Sequence, residues 1–268
     1  MRSGIERLFA IVVRAVMLTS FFTAHSAFAE TLHITADDLR AWLPFVSTAH
    51  GLTLAMPEKI IGKPDFVKVA ALPRDSADYA TSRKVGYLDI RTNTFTSSCS
   101  GSLIGPDLFL TNHHCVDIDG KRIPPKELMV GFDYLEKGAP TKGWRIAEIV
   151  SADEALDYAL LRLADPVGDE RGWLELADAA TVSAARAVKI IQHPAGRPKE
   201  IVTNNTESIA CPSAAEPYYF CYLADTEGGS SGSPVFAHDS DIIIALHHSG
   251  SNAMNLGTRI HEVQQRIA

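Results

Sequence analysis

The stretch DTEGGSSGSPVF, residues 225–236, sets Ser230 and Ser231 side by side among small residues. A serine hydroxyl is un-ionised at neutral pH and attacks only when a base takes its proton. Imidazole suits that task because its pKa lies near neutrality, and a buried carboxylate fixes its tautomer and steadies the imidazolium. The chain supplies both groups in constrained settings. His113 and His114 follow the run LFLTN and directly precede Cys115, and Asp157 heads the apolar run YALLRL. Together these residue types point to nucleophilic hydrolysis through a covalent intermediate. They leave open which serine and which histidine of each pair reacts.

Such groups work only on rigid supports, because small displacements of a base are costly in rate. From Val85 onward the chain reads as short apolar runs broken by turns: KVGYLDIRT, CSGSLIG, LFLTN, GWRIAEIVS, YALLRLAD, AVKIIQH, EIVTNN, YYFCYLAD, SPVFAH and DIIIALHHS. So many short strands without alternating helices predict an all-β sandwich or barrel. Ile260, Val263 and Ile267 recur at helical spacing in GTRIHEVQQRIA, which predicts a terminal helix docking one apolar face. A capping box at Thr35–Asp38 opens a short helix over DDLRAWL, stopped by Pro44. Residues 30–80, rich in turn formers, read as an N-terminal extension or pro-region.

The 268 residues are 46% hydrophobic and 21% charged, which suits a soluble globular chain of one large all-β domain or two small barrels. The first 29 residues differ. Arg2 and Arg7 make a basic start, LFAIVV and AVMLTSFF an apolar middle, and Ala27-Phe28-Ala29 a cleavage site, so 1–29 reads as a secretory signal peptide. Arg14 keeps the apolar run below the ~18 residues of a spanning helix. A secreted or periplasmic location follows, without stable membrane association once the signal is removed. The net charge of −7 and the lack of a basic stripe argue against nucleic acid as a partner.

Cys99, Cys115, Cys211 and Cys221 are an even set in an exported chain and predict two disulfides. Of three possible pairings the local one is Cys99–Cys115 with Cys211–Cys221. No C-x-x-C pair is present, and adjacent histidines on a strand face opposite sides, so no metal or other cofactor is expected. Asp117-Ile118-Asp119-Gly120 reads as a hairpin turn, and His193 in HPAGRPKEI as a turn histidine.

Three stretches carry a family resemblance. CSGSLIGPDLFLTNHHCV is similar to the chymotrypsin-clan strand that ends in T-A-A-H-C, DYALLRL to its D-I-A-L-L-K-L, and GSSGSP to its G-D-S-G-G-P. Their order, His then Asp then Ser, is that of chymotrypsin. The resemblance spans 85–268 and implies two antiparallel Greek-key β-barrels, about 81–165 and 166–255, with a C-terminal helix and a catalytic cleft between the barrels. It implies His114 as base, Asp157 as its orienting carboxylate and Ser231 as nucleophile. The backbone N–H groups of Gly229 and Ser231 would form the oxyanion hole. Ser230 stands where trypsin-like zymogens carry an activation aspartate, which implies that this switch is absent. With Ser233, and with LHHSG and HPAGRPKEI, the pattern resembles the bacterial glutamyl endopeptidase (V8-like) branch.

For substrate binding the resemblance implies two incompatible readings. Asp225 matches the pocket-floor carboxylate of trypsin and would favour Arg or Lys at P1, whereas Thr226 and His247 match positions that bind an acidic P1 side chain. His248, Ser249 and Gly250 would line the cleft and pair with substrate backbone. The expected partners are protein or peptide substrates, and the expected assembly a monomer. Two rival readings compete with the endopeptidase. One is a non-catalytic protease-like binding protein. The other is an α/β-hydrolase in which G-x-S-x-G makes Ser230 the nucleophile, which requires a parallel sheet with crossover helices.

Overall fold

The computed structural model describes residues 59–139, 141–212, 216–251 and 253–268. The segments read as a signal peptide and as the helix over DDLRAWL lie outside the described residues.

The described chain begins with a strap that becomes β1 (Val67–Lys68) and leads to helix α1 (Ala77–Ser82), where the Ser76 hydroxyl accepts the Tyr79 N–H. Phe66, Leu72 and Tyr79 pack on the larger of two cores, so residues 66–80 are built into the body that follows them. A closed barrel comes next. Its strands are β2 (Val85–Arg91), β3 (Thr96–Leu103) and β4 (Leu108–Thr111), then β7 (Leu128–Gly131), β8 (Gly143–Asp153) and β9 (Tyr158–Leu163), after the small hairpin β5 (Asp117–Ile118) and β6 (Lys121–Arg122). Asp119 and Gly120 both take positive φ at that hairpin, as a type I′ turn demands. Leu88, Ile90, Leu103, Phe109, Val130 and Leu161 fill the barrel.

Short helices α2 (Gly168–Arg171) and α3 (Ala179–Ala184) connect the barrel to the second half. There β10 (Val188–Gln192), β11 (Glu200–Val202), β12 (Ser208–Ile209), β13 (Tyr219–Tyr222), β14 (Pro234–Ala237), β15 (Ile243–Gly250) and β16 (Asn255–Arg259) join β1 in one sheet. Its order is β1-β11-β10-β14-β15-β16-β13-β12. The edge strands β1 and β12 have only two residues each and do not pair with one another, so the second half is a curled sheet and not a hydrogen-bonded ring. The helix α4 (Ile260–Ile267) buries Ile260 and Val263 and leans Ile267 on the same core. It starts at Ile260, the first of the three periodic residues, because Gly257–Arg259 are spent pairing β16 with β13 and β15. Among the described residues no helix is long and apolar enough to cross a membrane.

Every strand pairing named here is antiparallel. That topology rules out the α/β-hydrolase reading, which needs parallel strands. Cys99–Cys115 and Cys211–Cys221 are both disulfide-bonded, the local pairing.

Candidate active site

β4 ends at Thr111, and the chain turns into a single 3-10 turn over His113–Cys115 that the disulfide ties back to β3. His114 therefore sits at the barrel rim on a short, cross-linked support. Asp157 lies opposite, at the tight entry to β9, with a positive φ of 48°. Its carboxylate accepts the His114 backbone N–H at 3.0 Å through Oδ1 and meets the His114 ring at Nδ1, 2.7 Å from Oδ2. Asn112 Nδ2 donates to the Asp157 carbonyl at 2.7 Å and locks the turn from behind.

The double contact has an electrical consequence. Burial acts most strongly on Asp157 and pushes its pKa up. The His114 charge and ring bond, the nearby His248 and the His114 amide outweigh that push, leaving the carboxyl below its ordinary range. An ionised carboxylate only accepts hydrogen bonds, so Nδ1 is the nitrogen that donates to Asp157, and Nε2 is the ring nitrogen turned away from it. His114, not His113, makes this bond.

Ser231 comes from the other half. Ser230 N–H donates to the Glu227 carbonyl at 2.9 Å with Gly229 at φ 97°, which is a type II turn. The Ser230 hydroxyl is fully buried and accepts the Glu227 N–H at 3.2 Å, so it serves the turn. Gly232, at φ 84°, lies so close to the end of β4 that a Cβ there would come within 2.4 Å of Thr111 Oγ1. The Ser231 turn thus rests on the strand that carries His114 three residues later. Ser100 in β3 donates its N–H to the Ser231 carbonyl at 2.8 Å, and Gly232 N–H donates to the His247 carbonyl at 2.8 Å.

The residues expected to bind substrate are placed unequally. Asp225 is 2% exposed, and its carboxylate faces the strap, accepting the Ile61 N–H at 2.6 Å and the Asp65 N–H at 3.0 Å. Thr226 donates its N–H to the Lys59 carbonyl and its hydroxyl to Asn255 Oδ1, and Asn255 also clasps Lys59 through both backbone groups. His247 is fully buried, with Nδ1 2.5 Å from the Tyr222 hydroxyl. His248 lies against the Tyr219 ring, accepts or donates at Nδ1 with Ser249 Oγ, and is held by burial to a pKa of about 4, hence neutral at pH 7. His248, Ser249 and Gly250 close β15, beside β16. Ile61, Asp65, Asn255 and Tyr222 were not anticipated from sequence; their partners lie 25 to 196 residues away.

Cys99, His114 and Cys115 bring ligand atoms within 4.8 Å of one another, but both sulfurs are consumed in the disulfide and offer no thiolate. This cluster is an imidazole against a cross-link.

A closed six-strand barrel and a curled sheet with a terminal helix, carrying a His–Asp pair on one half and a serine turn on the other, define a chymotrypsin-type fold. The chain belongs to the trypsin-like peptidase domain family, whose model matches residues 99–245. It is 29% identical over 210 residues to Secreted RxLR effector protein 73 of Plasmopara viticola, a match covering 70% of this chain and 51% of that protein. It is 25% identical over 192 residues to Glutamyl endopeptidase of Bacillus licheniformis, covering 64% and 58%. The solved structure of a Glu endopeptidase in complex with MPD superposes with a TM-score of 0.59 at 21% identity, covering 77% of this chain and 96% of that one. The chain thus spans little more than half the length of these two curated relatives.

Proposed function

We propose that this chain is an exported serine endopeptidase that cuts protein or peptide substrates through an acyl-enzyme, with Ser231 as nucleophile, His114 as base and Asp157 as its orienting carboxylate. The observation that carries the reading is the 2.7 Å bond from His114 Nδ1 to Asp157 on a rim against which the Ser231 turn is seated. In this scheme Ser231 Oγ bonds to the scissile carbonyl carbon while its proton passes to His114 Nε2. The Gly229 and Ser231 N–H groups receive the charge that develops on oxygen. Collapse breaks the C–N bond, and His114 returns the proton to the leaving amine. Water repeats the sequence on the acyl group, with His114 again taking and returning one proton.

For P1 the placement of Asp225 favours an acidic side chain over a basic one. A buried carboxylate that faces the strap, with each oxygen accepting one of its backbone N–H groups, is poorly placed to receive Arg or Lys. His247 supports the same choice. A Tyr222 hydroxyl donating to Nδ1 would put the ring proton on Nε2, as a donor for a carboxylate. The Glutamyl endopeptidase relative is consistent with this choice.

A fluorophosphonate probe tests the reaction class. The wild-type protein should be phosphonylated at Ser231, with Ser231→Ala inert and Ser230→Ala still reactive. A folded wild-type protein that never labels would instead support the non-catalytic binding reading.

A further inference from the structure

The stretch HPAGR at 193–197, which reads from sequence as an ordinary bend, lies directly behind the Glu227–Ser231 turn. His193 is fully buried, with its ring stacked on Tyr134 at 5.9 Å and edge-on to Tyr87 at 5.3 Å. Its backbone N–H donates to Ser100 Oγ at 2.9 Å, and that hydroxyl donates onward to the Gly229 carbonyl at 2.9 Å. Gly229 packs so tightly on the bend that a Cβ there would stand 2.8 Å from the His193 carbonyl oxygen and 3.0 Å from Gly196 N. At the turn's first residue the Glu227 carboxylate pairs with Arg197 at 2.6 Å, and Arg197 is itself held by Glu200 at 3.0 Å.

Ser100 is the hub of this contact. Besides its hydroxyl chain, it donates its N–H to the Ser231 carbonyl and gives its own carbonyl to Thr111 Oγ1 at 2.7 Å. It therefore holds the peptide planes on both sides of the one that carries the Ser231 N–H. Because peptide units are planar, fixing the carbonyls of Gly229 and Ser231 strongly limits where that N–H can aim. A hydrogen-bond chain from His193 through Ser100 to Gly229 is also mutually polarising.

We infer that Ser100, backed by the His193–Arg197 bend, is a positioning residue that holds the oxyanion-binding turn in its reactive shape. The inference rests on the endopeptidase reading above. Ser100 touches no reacting atom, so its effect falls on transition-state stabilisation and leaves ground-state binding alone. Deleting a direct oxyanion donor costs about 10²–10³ in kcat, so misaiming one by loss of its support should cost about ten- to a hundredfold.

The test compares the wild type with Ser100→Ala, Ser100→Thr and Glu227→Gln. The readouts are fluorophosphonate labelling rate, kcat and KM on casein, folded fraction by circular dichroism, and amide exchange across residues 227–233. Ser100→Ala should label and turn over ten- to a hundredfold more slowly with KM within about threefold, while staying folded. Ser100→Thr, which keeps the hydroxyl on a side chain suited to a strand, should recover most of the rate. Glu227→Gln, a half-exposed change that spares the core, should show a smaller loss in the same direction. Wild-type rates in Ser100→Ala, or a loss that tracks unfolding and is not restored by threonine, overturn the inference. A wild type that neither labels nor cleaves defeats the endopeptidase reading instead. The cradle is then judged by exchange alone, and unaltered exchange at 227–233 in Ser100→Ala overturns it.

Discussion

Asp225→Asn isolates what the buried Asp225 carboxylate does. Each oxygen of Asp225 accepts a backbone N–H of the strap, from Ile61 and from Asp65. An asparagine amide has the same shape but one acceptor, so its NH₂ must face one of those donors. One charge-assisted bond, about 1.5–3 kcal/mol, is lost, and a poorly solvated N–H is left without an acceptor. Part of this is returned. Burial, foremost, raises the Asp225 pKa, with Asp65 and Glu227 adding to the rise, so removing the charge relieves a desolvation cost. A net loss of about 2–3 kcal/mol in a domain this size lowers Tm by roughly 5–10 °C. Thermal unfolding in a Ser231→Ala background, which prevents self-digestion, reads the stability change. Peptides differing only at P1, cut by Asp225→Asn with Ser231 intact, read specificity. The strap assignment predicts destabilisation with any loss of rate shared across P1 residues. An unchanged Tm with selective loss of cleavage after Arg and Lys would refute it.

Two further outcomes follow from the charges. Asp157→Asn places an amide beside His114 Nδ1 and allows the wrong tautomer, so kcat at neutral pH should fall by about 10⁴, the size of the same change in serine proteases generally; a loss below tenfold would remove Asp157 from the role proposed for it. Burial holds His193 at a pKa of about 3 and His248 at about 4, both under the 6.5 of an unfolded chain. The unfolded state then binds more protons below pH 6.5, so the stability these rings contribute is full above 6.5. It is lost as pH falls toward 4 and 3, at up to about 1.4 kcal/mol per pH unit for each histidine. Urea midpoints measured from pH 7 to pH 4.5 should decline, and His193→Phe, which keeps a stacked ring without a proton, should flatten the decline. A wild-type midpoint flat across that range contradicts this.

Most strands were legible because their residues announce themselves locally. YALLRL, DIIIALHHS and CSGSLIG each carry an apolar run with a breaker on at least one side, and each became a strand. β16 was not, since NLGTR has one large apolar residue and its strand character comes from lying between β13 and β15. His114 and Asp157 were legible through motif order; their mutual geometry was not, because the two are separated by 43 residues and a barrel closure. Asp225 shows the limit most sharply. Its position six residues before Ser231 suggests a substrate receptor, while its actual partners sit 164 and 160 residues upstream, in a strap whose sequence IIGKPDF looks like an ordinary linker. Nothing in a single sequence links an aspartate to the backbone N–H groups of a distant turn-rich segment.

The halves that supply His114 and Ser231 are tied largely through backbone atoms. Ser100 N–H reaches the Ser231 carbonyl, Leu174 N–H the Leu103 carbonyl and Lys199 N–H the Tyr134 carbonyl, all within 2.9 Å. Lys199 Nζ, buried, adds bonds to the Ser82 and Phe132 carbonyls, and Thr258 Oγ1 reaches the Leu156 carbonyl just before Asp157. Bonds between main-chain groups constrain shape without demanding residue identity, whereas each side-chain donor fixes one position. Such bonds are compatible with a fold that superposes on a Glu endopeptidase at 21% identity. Identity is demanded only where a side chain does what the backbone cannot. At Gly229 and Gly232 only the absence of one permits the approach, at His114 and Asp157 a ring must meet a carboxylate, and at Ser100 one hydroxyl must both accept and donate.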